Sequence, residues 1–239
     1  MCGILSVISK QKPLDKQVVL SARDTMIHRG PDDQGVYFSS DKRIAMGHRR
    51  LSIIDLSENG RQPLFTMDKS LGIVFNGEIY NYLDLRKELN SYGYNFTTQT
   101  DTEVVLIAYQ HWGYKALEKL DGMFAFVILN TKSEQFFLAR DRLGIKPLFY
   151  YLDQNYLIVA SEIKAIKMFP DIDMTIDQSA ISDFLTYGYV PTPKTIYKKI
   201  RKLDPGYFGF YEKNNLVTKK YRDIEFKNEL YTENNYLEK

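Results

Sequence analysis

The sequence predicts an α+β fold, and three features support that class. Strand-like runs come first, two helical stretches sit centrally near residues 80–111, and strand-like runs then return. That is the segregated order of α+β layers, not the alternation of a parallel sheet. Aromatic residues make up 14% of the chain, with 18 tyrosines, and aromatic side chains suit pleated surfaces. The glycine loops of nucleotide-binding α/β domains, Gly-x-x-x-x-Gly-Lys-Ser/Thr and Gly-x-Gly-x-x-Gly, do not occur.

The elements follow in order. Residues 3–9 read as a short buried strand, and 15–27 as a helix with Val18, Val19, Ala22 and Met26 near one face. Residues 28–35 form a polar loop fixed by two glycines and a proline. Residues 35–38 and 43–47 pair as a hairpin, and 71–76 form a strand. Residues 80–92 form a helix, and a second helix opens at Thr100 and runs to about His111. Thr100 and Glu103 have capping-box spacing. Strands at 123–130 and 135–140 lead into a charged loop at 140–147, followed by a hairpin at 148–152 and 156–160. Helices are expected at 162–168 and 177–187. Prolines then mark extended chain up to a final hairpin, 207–211 with 216–221, turning at Asn214-Asn215. The last eighteen or so residues are polar, with charges of both signs.

Composition excludes several functions. A chain of 239 residues suits one large domain or a domain and a half. A net charge of +2 gives no nucleic-acid surface. One cysteine permits no internal disulfide and fits a reducing compartment, so a cytoplasmic location is expected. No apolar run is long enough to span a membrane. Three scattered histidines give no zinc-ligand spacing, so no metal is expected.

Five places carry candidate chemistry, each beside a plainer reading. Cys2, the only cysteine, would become the N-terminus on removal of Met1. Its α-amine, with a pKa of about 7.7–8.0, could then act as base for its own thiol; otherwise it is a small buried hydrophobe. Arg29, in His28-Arg29-Gly30-Pro31-Asp32, lies in a loop or is simply solvated. Arg50, after Arg49, could clamp a carboxylate or lie on the surface. Asn76-Gly77 is either a hairpin turn or an oxyanion hole made of a side-chain amide and a backbone N–H. Asp101 is either a helix-start carboxylate or the partner of a substrate ammonium.

These segments together resemble the class II glutamine amidotransferases, and most closely the glutaminase half of the asparagine synthetases. The residues that carry the resemblance are Met1-Cys2-Gly3-Ile4, His28-Arg29-Gly30-Pro31-Asp32, Gly47-His48-Arg49-Arg50-Leu51-Ser52-Ile53-Ile54-Asp55 and Phe75-Asn76-Gly77-Glu78-Ile79-Tyr80-Asn81. Asp101-Thr102-Glu103, Leu120-Asp121-Gly122-Met123-Phe124-Ala125-Phe126, Arg140-Asp141-Arg142-Leu143-Gly144-Ile145-Lys146-Pro147-Leu148 and Ala160-Ser161-Glu162-Ile163-Lys164-Ala165 continue it to about residue 221.

The resemblance implies an N-terminal-nucleophile hydrolase fold, an αββα sandwich of two antiparallel sheets. It implies that Cys2 attacks the glutamine amide while Asn76 and Gly77 hold the oxyanion. Arg50 would bind the α-carboxylate, and Asp101 with Glu78 the α-ammonium. Leu51, Ile53 and Ile54 would line the pocket through their backbones, and Arg29 would lie in a loop over the site. The domain is expected over 2–205, with 206–239 as a hairpin and linker into an absent ATP-dependent synthetase domain. No cofactor is expected within this chain, and ATP and Mg belong to the absent domain. L-glutamine, that domain in cis and a second copy of the chain are the expected partners, with no nucleic acid and no membrane. Two alternatives stand beside amidation of aspartate: the same glutaminase serving a sugar or peptide carboxylate, and a silent glutamine-binding module. Ser6 departs from the family, which commonly has glycine there. The Ser-Gly-Gly-x-Asp-Ser pyrophosphate loop of the synthetase domain is absent.

Overall fold

A computed structural model describes residues 1–55 and 57–222. The polar stretch expected at the C-terminus lies outside the described residues from 223 onward. In chain order the elements are β1 (Gly3–Ser9), α1 (Lys16–Asp24), β2 (Asp33–Phe38), β3 (Ile44–Arg50), β4 (Leu64–Phe65) and β5 (Leu71–Ile79). There follow α2 (Tyr82–Ser91), α3 (Asp101–Trp112), α4 (Ala116–Lys119), β6 (Gly122–Asn130), β7 (Gln135–Arg140), β8 (Phe149–Leu152) and β9 (Tyr156–Ala160). The last are α5 (Ile163–Ile166), α6 (Gln178–Tyr187), β10 (Ile200–Lys202), β11 (Tyr207–Glu212) and β12 (Asn215–Lys220).

The strands form two antiparallel sheets of six, ordered β10-β8-β9-β1-β3-β2 and β12-β11-β7-β6-β5-β4. Alternation along each strand builds the layers. Ile4 and Ile8 of β1 meet Val127, Leu129 and Leu138 of the facing sheet, while Leu5 and Val7 turn the other way onto Val19 and Ala22 of α1. On the far side, Ile73, Phe75 and Ile79 of β5 pack on Leu85 and Leu89 of α2 and Val104 and Leu106 of α3. The result is the four-layer αββα sandwich.

Several local expectations need correction. Asn76-Gly77 is not a turn. β5 runs on to Ile79, and Gly77 pairs with Phe124 of β6, because a nine-residue partner strand holds the chain extended. Arg49 and Arg50 are not surface residues: β3 continues through both, and each is 5% exposed. Thr100 caps α3 through the Glu103 N–H, but Glu103 does not reciprocate. Its carboxylate instead takes the N–H and hydroxyl groups of Thr97 and Thr98. The last hairpin turns at Lys213 and Asn214, both with positive φ. It is also not appended to the domain. β11 lies beside β7, so the boundary expected at 205 falls inside the second sheet.

Candidate active site

A cavity of about 220 Å³ opens where the two sheets and the start of α3 converge. Its wall includes Cys2, Arg50, Leu51, Ile53 and Ile54, then Asn76, Gly77, Glu78 and Asp101. The elements explain this gathering. β1 pairs with β3 in the register Gly3↔Arg49, so Cys2, one residue earlier, stands across from Arg50. Leu51 follows β3, and its N–H donates to Cys2 Sγ at 3.4 Å while its carbonyl accepts from the thiol at 3.7 Å. His48, fully buried on β3, reaches across to the Phe75 carbonyl at 3.1 Å, tying β3 to β5 one residue before Asn76.

Strand alternation separates the two arginines. Arg49 turns away from the cavity and bonds the Gly30 carbonyl and the Gln34 side chain. Arg50 turns into it. Its guanidinium donates to the carbonyls of Ile54, Asp55 and Ser57, which curls the loop around it. A Cβ at Gly60 would lie 2.1 Å from its Nη2, so a larger residue there would displace the guanidinium. Those three bonds leave two of five N–H groups free, and no described carboxylate forms an ion pair with it.

The opposite wall is acidic. Asp101 is 5% exposed at the first turn of α3 and accepts the Ile79 N–H at 3.0 Å. Burial pushes its carboxyl up to about 6, with nearby Glu78 adding to the rise. Neither acid has a described cationic partner. A cation at one end and two carboxylates at the other fit a zwitterionic α-amino acid.

Between them lies the edge of β5. Alternate N–H groups on this edge point away from β6. Phe75 gives its N–H to Gln62 Oε1 at 2.6 Å, and Ile79 gives its own to Asp101. Gly77 stands between them on the same edge, so its N–H faces the cavity. A Cβ at Gly77 would sit 2.4 Å from the Met123 carbonyl oxygen. Asn76, 1% exposed, holds a buried Nδ2 with no hydrogen-bond partner. An unpaired buried donor costs roughly 1–3 kcal/mol. That donor and the Gly77 N–H share the cavity wall with Cys2, a pair of donors of the kind that can hold one negative oxygen.

Arg29 contacts Cys2 but is not part of the cavity wall. It donates to the Cys2 carbonyl at 3.0 Å and pairs with Glu162 at 3.0 Å. Burial pushes the Cys2 thiol up, with the Leu51 backbone opposing the rise, so the resting thiol holds its proton and needs a base. The amine at Met1 is pushed below its ordinary value by burial first, then by Arg29 and Lys146 against Cys2 and Asp32. The wall also includes Gln62, Thr100, Thr102, Met123 and Lys146, none of which the sequence singled out for the site. Thr102, Met123 and Lys146 lie within motifs that the sequence shows, and Thr100 reads there only as a helix cap. Among the described residues, no group of three or more His, Cys, Asp or Glu could hold a metal ion, and no helix is long and apolar enough to cross a membrane.

The model of the glutamine amidotransferase domain matches residues 1–222. Asparagine synthetase (glutamine-hydrolysing) 1 of Bacillus subtilis is 40% identical over 232 residues, covering 95% of this chain and 36% of that protein. A putative asparagine synthetase of Methanocaldococcus jannaschii is 38% identical over 222 residues, covering 85% of this chain and 42% of the relative. The amidase chry2 of Gibberella zeae is 40% identical over 180 residues, covering 71% and 27% respectively. The chain thus spans well under half the length of these relatives. The glutamine phosphoribosylpyrophosphate amidotransferase structure from B. subtilis shares the fold, with a TM-score of 0.69 at 19% identity over 92% of this chain and 49% of that one.

Proposed function

The chain belongs to the glutamine amidotransferase domain family, and from that premise we propose how its residues cleave L-glutamine. Removal of Met1 exposes the α-amine of Cys2. That amine, through a water, takes the thiol proton as Sγ attacks the side-chain carbonyl carbon. Arg50 holds the α-carboxylate, and Asp101 with Glu78 holds the α-ammonium. Asn76 Nδ2 and the Gly77 N–H receive the oxyanion. Collapse of the tetrahedral intermediate returns a proton to the leaving nitrogen, which departs as ammonia. Water then hydrolyses the thioester, releasing glutamate and restoring the thiol.

The orphaned Asn76 Nδ2 in the Cys2 cavity carries this reading. A buried donor left open beside a thiol is placed for the carbonyl oxygen of a bound amide and for the oxyanion that forms from it. The test is N-terminal mass and glutamate release for the wild type and for Cys2→Ala. Loss of Met1 is expected, with glutamate release that disappears in the variant. Retained Met1, or equal release by both, overturns the assignment.

The ammonia serves ATP- and Mg-dependent amidation of aspartate in a synthetase domain, in a cytoplasmic enzyme. The names of the asparagine synthetase relatives and their greater length support this acceptor. The relative named an amidase supports the second reading, in which the same glutaminase serves another carboxylate. Feeding amide-15N glutamine, ATP, Mg and aspartate to the chain joined to its synthetase partner decides between them. Label in asparagine supports the first reading, and its absence favours the second.

A further inference from the structure

Glu162 stands at the N-cap of α5, yet its carboxylate makes no capping bond to that helix. It turns instead to the loop that carries His28 and Arg29. Its Oε1 accepts from Arg29 Nη1 at 3.0 Å and from His28 Nε2 at 2.9 Å, and its Oε2 accepts from Lys164 Nζ at 3.0 Å. His28 Nδ1 faces the Lys164 ammonium at 3.3 Å, so Nδ1 accepts and Nε2 carries the proton given to Glu162. Arg29 in turn gives its Nε–H to the Cys2 carbonyl at 3.0 Å. The Arg29 side chain is 9% exposed and that of Glu162 22%, so solvent screens this pair less than a surface one. The base of the bracket is fixed as well. Ser161, one residue earlier, takes the Ile4 N–H on its hydroxyl at 3.1 Å and gives its own N–H to the Ile4 carbonyl at 3.0 Å.

We propose that Glu162 is a positioning residue for this hydrolysis: it locks the Arg29 guanidinium against the Cys2 carbonyl and so holds the freed α-amine in place beside its own thiol. The inference rests on the glutaminase reading. The geometry of one tetrahedral carbon carries it. The Cα of Cys2 bears the carbonyl carbon, the Cβ that leads to Sγ, and the nitrogen. Arg29 fixes the first, and Leu51 holds the second through its N–H and carbonyl, at 3.4 and 3.7 Å from Sγ. With two of these directions set, the third is set too. That matters once Met1 is gone, because no preceding residue then holds the nitrogen. Arg29 also approaches Met1 Sδ at 3.7 Å, a contact that processing removes, but its Nε and Nη1 bonds do not involve Met1. A guanidinium left free would swing on its flexible stem, and Glu162 removes that freedom. Lys164 and His28 fasten the carboxylate from its other side and make no bond to Cys2 among the described residues.

The experiment measures kcat and KM for glutamine hydrolysis in the wild type, Glu162→Met and Glu162→Gln, each released from a cleavable leader so that Cys2 is its first residue. In Glu162→Met kcat is expected to fall about ten- to a hundredfold, the scale of a misplaced reacting group. KM is expected to stay within about twofold, because Arg50, Asp101 and Glu78 make no described bond to Glu162, and ground-state binding is then untouched. Glu162→Gln keeps an acceptor for Arg29 Nη1 and is expected to recover most of the lost rate. An unchanged kcat in Glu162→Met overturns the proposal, as does a loss that lies in KM alone. A Glu162→Gln as slow as Glu162→Met overturns it too. Should Glu162→Met fail to fold, Glu162→Asp replaces it. The aspartate keeps the charge but falls one methylene short of Arg29, and a wild-type kcat there overturns the proposal equally. A wild-type chain without glutamine hydrolysis refutes the parent reading instead, so the two failures are distinct.

Discussion

Glutamine binding should weaken below pH 6, because Asp101, the proposed ammonium clamp, titrates there. Asp101 is buried at the first turn of α3, with the Ile79 N–H on its carboxylate and Glu78 nearby, and burial lifts it to about 6. The substrate ammonium needs the ionised form. At pH 7 about nine-tenths of the carboxyl is ionised and at pH 5 about one-tenth, so the dissociation constant should rise about tenfold between them. An exposed aspartate, with a pKa of about 3.9, would leave binding almost flat over that range. His48, buried and lowered to about 4, stays neutral throughout and adds nothing. The linkage sign agrees. A raised carboxyl favours the folded domain below its unfolded value of 3.8 and loses that contribution as pH rises through 6. Glutamine should therefore stabilise the domain more at pH 7 than at pH 5. Calorimetric titration of the Cys2→Ala protein separates binding from turnover. Asp101→Asn can still accept the Ile79 N–H, but it should bind glutamine roughly 10- to 100-fold more weakly. A flat profile in the parent, or the same slope in Asp101→Asn, refutes the assignment.

Two further substitutions test the frame around the site. Gly77→Ala places a methyl against the Met123 carbonyl and should force β5 from β6, lowering stability by about 1–3 kcal/mol. It should also cut kcat by about 10²–10³ through the displaced oxyanion donor. Thermal melts with glutaminase kinetics read both effects, and wild-type values in each would refute the placement. Ser6 shares the inter-sheet face of β1 with Ile4 and Ile8, and its buried hydroxyl has no partner among the described residues. Ser6→Ala should therefore stabilise by about 1 kcal/mol, or about 2–4 °C in Tm. A fall in Tm would show that the hydroxyl is satisfied.

Much of this was legible in the sequence because the signals were local. Short, nearly continuous apolar runs marked β1, β6 and β7, and Thr100 marked the start of α3. β4 and β10 were missed. At two and three residues they are too short to show a period, and they exist only because a neighbour pairs with them. Asn76-Gly77 carried a strong turn signal that strand pairing with β6 overrode. The chemistry of Cys2, Arg50, Asn76-Gly77 and Asp101 left a plainer reading open at each, and motif order chose between them. Lys146 escaped because a lysine between aliphatic residues reads as solvated, and only the Asp141 and Arg140 bonds turn it inward. The membership of β11 in the second sheet was equally invisible, since its partner β7 lies some seventy residues earlier.

The placement of β1 has a consequence for the lifetime of the catalytic centre. Chain termini usually fray. Here the terminal strand is interior to its sheet, flanked by β9 and β3, with Ile4 bonded at both its N–H and carbonyl to Ser161. Releasing the strand that follows Cys2 means opening both ladders, so its local opening free energy approaches that of global unfolding. Amide exchange at Ile4 and Leu5 should be among the slowest in the protein, and loss of hydrolysis on heating should coincide with loss of the fold.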